Sequence, residues 1–260
     1  MHRLAADLRG LNLARYPAVL VHASFKGLGL SGGSPAAVVA ALVEAAGDAT
    51  TLLFPTFTYS PEHGPERPPA INLATTPCCT GAIPEASRHF PGSVRSLHPT
   101  HSVTAVSGPN PGWWASGHEF GESPCDQHSP FSKVSAQGGL ILLLGGVNND
   151  SNTTLHHIEE LAEVPYHLQP SKTRGAVYSP SEGLISVVNR LHQWGWERDF
   201  RRPDAQLLAS GIMRAARVGG GSALLIDALR LRGTLLPVLR QDSLYLLTES
   251  ARGRFLADCS

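Results

Sequence analysis

Ala18-Val19-Leu20-Val21-His22 is an apolar run of strand length, and it reads as a buried strand. Ser34-Pro35 then offers an N-cap with proline at the first helical position. The alanine- and valine-rich stretch from there to Ala46 reads as a helix that Gly47 closes. Thr50-Thr51-Leu52-Leu53-Phe54 follows as a second strand. Strand, helix and strand at this spacing make a βαβ unit, which predicts parallel pairing and an α/β protein.

Outward from this unit, residues 59–84 are proline-rich with little periodicity, too long for an ordinary connection, and read as a functional loop. A short helix is expected over Pro84 to Phe90, a strand over Ser102 to Val106 and a helix from Pro130 to Gln137. Leu140-Ile141-Leu142-Leu143-Leu144 is the plainest buried strand in the chain, and a helix from about Thr153 to Val164 follows it. The second half is expected to hold strands near Leu184 to Val188 and Leu244 to Leu247, with helices near Pro203 to Ala209 and Ser222 to Leu231.

The 260 residues suffice for one large α/β domain, 1–260. Basic and acidic side chains balance at 21 each, so no overall field draws the chain to nucleic acid or an anionic membrane, and charge selectivity must be local. No apolar stretch is long enough for a membrane span and Met1 to Gly10 lacks a secretory core, which reads as cytoplasmic. Cys78, Cys79, Cys125 and Cys259 form no metal-knuckle spacing and are expected as free thiols.

Three polar constellations could carry chemistry. Ser24 to Gly33 (SFKGLGLSGG) lies between the first strand of the unit and its helix, where small residues let backbone amides approach an anion and Lys26 adds positive potential. Gly27, Gly29 and Gly32 also fit a dinucleotide fingerprint, but the second strand ends in Pro55-Thr56-Phe57 where that reading needs an acid. A turn that binds nothing is the plain alternative. Arg95 to Ser102 (RSLHPTHS) sets His98 and His101 around a proline, as metal ligands or as polar lining of a cleft. Asn149 to Glu160 (NDSNTTLHHIEE) follows the plainest strand, and Ser151, Asn152 and Thr153 can each cap the helix that carries His156 and His157. Glu159 and Glu160 stand three and four residues beyond His156, so either can hold its imidazole and raise the basicity of the far nitrogen. The alternative is an exposed pair that only supports the helix.

Leu20 to Gly29 (LVHASFKGLG), Gly81 to Arg88 (GAIPEASR), Pro91 to Ser102 (PGSVRSLHPTHS), Ser129 to Lys133 (SPFSK) and Gly139 to Ala162 together resemble, in order, the aminoglycoside 3-N-acetyltransferases. A looser echo extends through Arg198-Asp199-Phe200 and Gly219 to Ala223. The resemblance implies a single α/β domain with a central mixed sheet flanked by helices, distinct from the GNAT fold. It also implies acetyl transfer from acetyl-CoA to an amine, with no metal. The family's His-His-x-Glu element falls on His156, His157 and Glu159, implying His156 as general base and Glu159 as its orienting partner. The first loop, with His22, Ser24, Lys26, Gly27 and Leu28, is implied in holding CoA together with Ser96, His98, Thr100 and Ser102. His98-Pro99-Thr100-His101 departs from the Asn-Pro-Gly-Ala of several resistance enzymes, which points those histidines toward substrate choice.

The acceptor so implied is an aminoglycoside or a related aminated small molecule. A neutral protein offers a polycation no global attraction, so a local acidic wall is expected from Glu62, Glu66, Glu119, Glu122 and Asp126, with His157 also facing the substrate. The sequence leaves open a homodimer. Two other readings also stand: a metal-dependent hydrolase using His98, His101, His156 and Glu159, or a CoA- or nucleotide-binding module without catalysis.

Overall fold

The computed structural model describes residues 2–258, so Cys259 lies outside it. Its strands are β1 (Ala18–Ala23), β2 (Thr51–Pro55), β3 (Ala70–Asn72), β4 (Val94–Arg95), β5 (Val103–Val106), β6 (Leu140–Leu144), β7 (Leu168–Ser179), β8 (Gly183–His192), β9 (Met213–Val218) and β10 (Gly221–Asp227). Its helices are α1 (His2–Gly10), α2 (Pro35–Ala46), α3 (Ala82–Ser87), α4 (Pro111–Ala115), α5 (Pro130–Ala136), α6 (Thr153–Leu161), α7 (Asp204–Ala209), α8 (Ala228–Gln241) and α9 (Glu249–Asp258).

β1 pairs in parallel with β2 on one side and with β6 on the other. Antiparallel strands extend the sheet at both ends to give the order β4-β5-β2-β1-β6-β10-β9. The sheet is therefore mixed, parallel only at its centre, as the resemblance implied. Successive side chains of a strand point to opposite faces, and the three central strands bury both. Leu20, Leu53, Ile141 and Leu143 pack with Phe131, Leu155, Leu231 and Leu235 of α5, α6 and α8. Val19, Val21, Leu52, Phe54 and Leu142 pack on the other face with Leu4, Leu8, Val38 and Leu42 of α1 and α2. Burial on both sides is why these strands read as continuous apolar runs.

The helix starts follow local chemistry. Ser34 Oγ accepts the Ala37 N–H at 3.2 Å ahead of Pro35, and Ser129 Oγ accepts the Ser132 N–H at 3.2 Å ahead of Pro130. Asn152 caps α6 by accepting the Thr154 N–H at 3.1 Å, which selects it from the three capable residues.

Other elements differ from expectation. Ser222 to Leu231 splits: β10 ends at Asp227, which caps α8 by accepting the Arg230 N–H. The apolar Ala223 to Ile226 suited either structure, and pairing with β6 and β9 decided it. Leu244 to Leu247 forms a turn with one isolated bridge to Arg198, because the Asp242 carboxylate caps the Leu244 N–H and Leu246 and Leu247 bury singly. The 59–84 segment contains β3, which joins the long β7–β8 hairpin in a second sheet ordered β3-β7-β8.

The glycines of the first loop serve close backbone packing. A Cβ on Gly27 would lie 1.8 Å from the Gly145 carbonyl oxygen, and one on Gly221 would lie 2.3 Å from the Gly27 oxygen. Gly27 thus fixes the loop after β1 against the turn after β6. Gly27→Ala is expected to lower stability by at least about 2 kcal/mol, read as a fall in melting temperature of several degrees. Gly253→Ala, in exposed α9 with nothing within 4 Å of the new methyl, is expected to be neutral or to stabilise by about 0.5–1 kcal/mol.

Candidate active site

A cavity of about 440 Å³ opens outside the carboxyl ends of the parallel strands. That is where α/β sheets place their ligands. His22 and Ala23 from β1, Pro55 from β2, and Asn152, Thr153 and His156 from the start of α6 line it. A second recess of about 290 Å³ shares Asp150, His156, Trp194 and Arg198 with the first. His156 therefore faces both.

The imidazole of His156 is held from behind. Its Nδ1 lies 2.7 Å from Glu159 Oε2, one helical turn on, and a quarter of its side chain stays exposed. Glu159 is fully buried. Tyr166 donates its hydroxyl to Glu159 Oε1 at 2.9 Å, Arg198 donates Nε to the same oxygen at 3.1 Å, and His167 Nδ1 lies 3.2 Å from Oε2. Burial pushes this carboxyl upward, but His167, the hydrogen bond from His156 and Arg198 prevail and hold it at about 2. Glu159 is thus an anion that only accepts, so Nδ1 of His156 carries the proton and Nε2 keeps a lone pair. Burial lowers the His156 pKa below its ordinary value despite the opposing pull of Glu159. The geometry sets a neutral imidazole, held from behind, at a ligand-sized hollow.

Glu160, the other carboxylate considered, faces away from His156. It shares a 2.5 Å hydrogen bond with Ser123, accepts the Cys125 N–H at 3.1 Å, and accepts from His192 Nε2 at 2.9 Å. Burial raises its pKa well above the carboxylate range. A second layer of rings continues from the base. His156 lies 5.0 Å from His167 and 4.9 Å from His192, and His192 lies 4.5 Å from His101.

Of the residues implied in holding CoA, His22 and Thr100 line the cavity. Burial lowers the His22 pKa to about 3, so the ring is neutral, and its buried Nε2 has no hydrogen-bond partner. The others lie elsewhere. Ser24 Oγ accepts the Gly27 N–H, Lys26 is exposed, and Leu28 belongs to the core beneath the sheet. Ser96 is buried against His118 Nδ1 at 2.9 Å, and Ser102 donates to the Thr56 carbonyl and accepts from Arg95 Nε. His98 is buried too: its Nδ1 accepts the His101 N–H at 2.9 Å and its Nε2 meets the Asn189 amide at 2.7 Å. His98 therefore does not converge with His156 and Glu159 on a common point, as the hydrolase reading required.

The acidic wall does not form around the cavity. Glu62 pairs with Arg67 and Glu122 with Lys172, both at the surface. Asp126 accepts the backbone N–H groups of Glu122 at 2.7 Å and His128 at 2.8 Å, so it builds its own turn. Glu119 sits beside Lys133, and neither it nor Glu66 lines the cavity. His157 is buried and donates Nδ1 to the Cys125 carbonyl at 2.6 Å, facing the core instead of the ligand. Residues the sequence did not single out supply the wall: Tyr59, His63, His192 and Trp194, with Tyr166 and His167 behind the base. They arrive through the 59–84 segment and the β7–β8 hairpin, and no local spacing ties them to His156.

Ligand-capable atoms of His156, His167 and His192 lie within 4.8 Å of one another, as do those of Cys125, Glu160 and His192. Arg198 Nη2, 2.9 Å from His167 Nδ1, places a fixed cation against the first group, and Glu159 and Glu160 already engage two of its rings.

Fold and site together define an α/β protein with a carboxylate-held histidine at a ligand-sized cavity. Residues 20–234 match the model of the aminoglycoside 3-N-acetyltransferase family, and the chain belongs to that family. It is 34% identical over 178 residues to aminoglycoside N(3)-acetyltransferase VIII of Streptomyces fradiae, covering 63% of this chain and 61% of that protein. Aminoglycoside N(3)-acetyltransferase IX of Micromonospora chalcea is 27% identical over 87% of this chain and 88% of its own length. The chain thus spans about 61% of the length of the first curated relatives it matches. Among solved structures, a histidine-to-alanine variant of aminoglycoside acetyltransferase AAC(3)-IVa in complex with a gentamicin superposes with a TM-score of 0.78 at 29% identity, covering 96% and 93% of the two chains. The binary complex of AAC-IIIb with CoASH superposes with a TM-score of 0.72 at 26% identity, covering 92% and 95%. Among the described residues no helix is long and apolar enough to cross a membrane.

The buried histidines set an acid limit on stability. Burial lowers His22 to about 3 and His118 and His157 to about 4, so below the ordinary histidine value the unfolded chain takes up protons that the folded chain refuses. These histidines make stability rise with pH across this range, and together they outweigh the single opposite slope of Glu160, whose raised pKa favours the folded chain at acid pH. Glu159, depressed to about 2, adds stability that is present above the ordinary carboxyl value and lost as pH falls toward 2. The urea midpoint is expected to be flat above about pH 7 and to fall steadily from about pH 6.5 to pH 4. A midpoint unchanged over that interval contradicts these assignments.

Proposed function

We propose that the protein transfers the acetyl group of acetyl-CoA directly to an amine of an aminoglycoside or related aminated small molecule, with His156 as general base. The observation that carries this reading is the 2.7 Å contact between His156 Nδ1 and the buried Glu159 carboxylate, which leaves Nε2 for the hollow. Family membership and the likeness to a CoASH-bound relative support the choice of acyl donor. The residues present also fit a ligand with polar groups, because Ser60, Thr153, Gln169 and Gln193 line the cavity.

Bound acetyl-CoA supplies an activated acyl group: the acceptor nitrogen bonds its carbonyl carbon, the C–S bond breaks, and the thiolate leaves with the electron pair. His156 Nε2 takes the proton that the nitrogen loses, and later returns it to the thiolate side or to water. Glu159 stabilises the imidazolium formed meanwhile, while Tyr166 and Arg198 keep that carboxylate ionised and fixed. Two recesses meeting at His156 suit two substrates bound at once, which direct transfer requires. Of the two hydroxyls considered for the carbonyl oxygen, Ser102 is committed to Thr56 and Arg95, and Thr100, though at the cavity wall, already engages His101 Nδ1 at 2.9 Å.

The test is thiol release from acetyl-CoA with a panel of amines. His156→Ala is expected to lose about 10²–10⁴-fold in kcat with its melting temperature little changed. The acid limb of the wild-type kcat profile is expected below about pH 6.5, since burial lowers the base. Chelators are expected to leave the rate untouched. Wild-type turnover by the alanine variant removes His156 from the chemistry, and loss of rate with a chelator favours the metal-dependent reading.

A further inference from the structure

Resting on the acetyl-transfer reading, we infer that the acceptor site is built for an amine carried on a flat, weakly charged ring system, such as an arylalkylamine, in place of a polycation. Among the described residues, the two recesses that meet at His156 contain one carboxylate between them, Asp150, and one permanent cation, Arg198. The conclusion holds whichever recess takes the acceptor, because Asp150 and Arg198 line both. His63, His101 and His192 do not add charge of either sign at neutral pH. Burial is the first cause that lowers each of them, with neighbouring imidazoles adding to it for His101 and His192. The acids that would have received further ammonium groups are spent elsewhere, Glu62 on Arg67, Glu122 on Lys172 and Asp126 on its own turn. A ligand with several ammonium groups would leave water for a hollow whose lining offers one carboxylate to pair with them, Arg198 being already paired with Glu159.

What the walls do offer is aromatic surface. Tyr59 stacks on His101 with centroids 5.5 Å apart at 30°, Phe57 lies 4.7 Å from His101, and Trp194 lies 5.6 Å from Tyr59. Tyr59 and Trp194 remain 39% and 46% exposed while lining the cavity, so part of each ring is open to a ligand. The second recess repeats the pattern with Trp194, Trp196 and Phe200. Open ring faces bind planar groups by stacking and hold a single ammonium by its attraction to the ring quadrupole. Asp150 at the shared mouth can pair with that one charge before the nitrogen loses its proton and attacks. The bonds made and broken are those of the acetyl transfer given above, with the proton passing to His156 Nε2.

Tryptamine and tyramine compared with gentamicin and kanamycin, in thiol release from acetyl-CoA by the full chain, tests this. The expected result is a kcat/KM for the arylalkylamines at least about tenfold above that for the aminoglycosides, and little change with ionic strength. Trp194→Ala is expected to raise KM for tryptamine by about tenfold with kcat largely kept, and Trp194→Phe to restore most of it. A higher kcat/KM for gentamicin or kanamycin overturns the acceptor inference and leaves the acetyl-transfer reading standing. An unchanged tryptamine KM in both Trp194 variants, each shown folded by its melting temperature, also overturns it. Absence of thiol release with every amine fails the acetyl-transfer reading itself, and this inference with it.

Discussion

The buried carboxylate of Glu159 is the interaction on which the site depends. A fully buried anion is tolerable only when hydrogen bonds and opposite charge replace its lost water. Here Tyr166, Arg198 and His156 each donate to it, while His167, whose Nδ1 accepts from Arg198, packs alongside. Those four partners come from α6, from the chain leading into β7 and from the segment after β8, so one carboxylate ties three parts of the molecule together. The same arrangement decides the chemistry. An ionised Glu159 forces the proton of His156 onto Nδ1 and leaves the lone pair on Nε2, on a ring that lines the cavity.

The sheet explains why that nitrogen meets a cavity. β1 has parallel neighbours on both sides, so the chain leaves the carboxyl ends of three adjacent strands at one edge. Backbone packing among Gly27, Gly145 and Gly221 draws the loops there into contact, and the start of α6 lines the cavity beside them. The β7–β8 hairpin closes the other side, bringing His192 and the Trp194 segment to within ring contact of His101, His156 and Tyr59. Rigid strands carry the floor of the cavity and longer segments carry its wall.

The parts legible in the sequence were those decided locally. β1, β2 and β6 are buried on both faces and show as plain apolar runs, and α2 and α5 begin with a serine cap and a proline. The His156–Glu159 pair could be seen because three residues along a helix bring two side chains together. The resemblance chose Glu159 over Glu160, and the geometry gives the reason, since Glu160 turns toward Ser123 and His192. What spacing could not show were contacts made by tertiary pairing: Tyr166, His167 and Arg198 behind the base, and Tyr59 and Trp194 across the hollow. Counting acids in loops misled for the same reason. Glu62, Glu122 and Asp126 found nearer partners than a substrate, and composition does not reveal which charges are already spent.

The central claim is that His156 is a neutral base with its proton on Nδ1 and its lone pair on Nε2. Nitrogen-15 NMR of the imidazole, with His156→Gln to assign the signal, reads this directly. At about pH 7 the account predicts a neutral ring in the Nδ1–H tautomer that gains its second proton only below about pH 6.5. A ring found in the Nε2–H tautomer, or already an imidazolium at neutral pH, would contradict it.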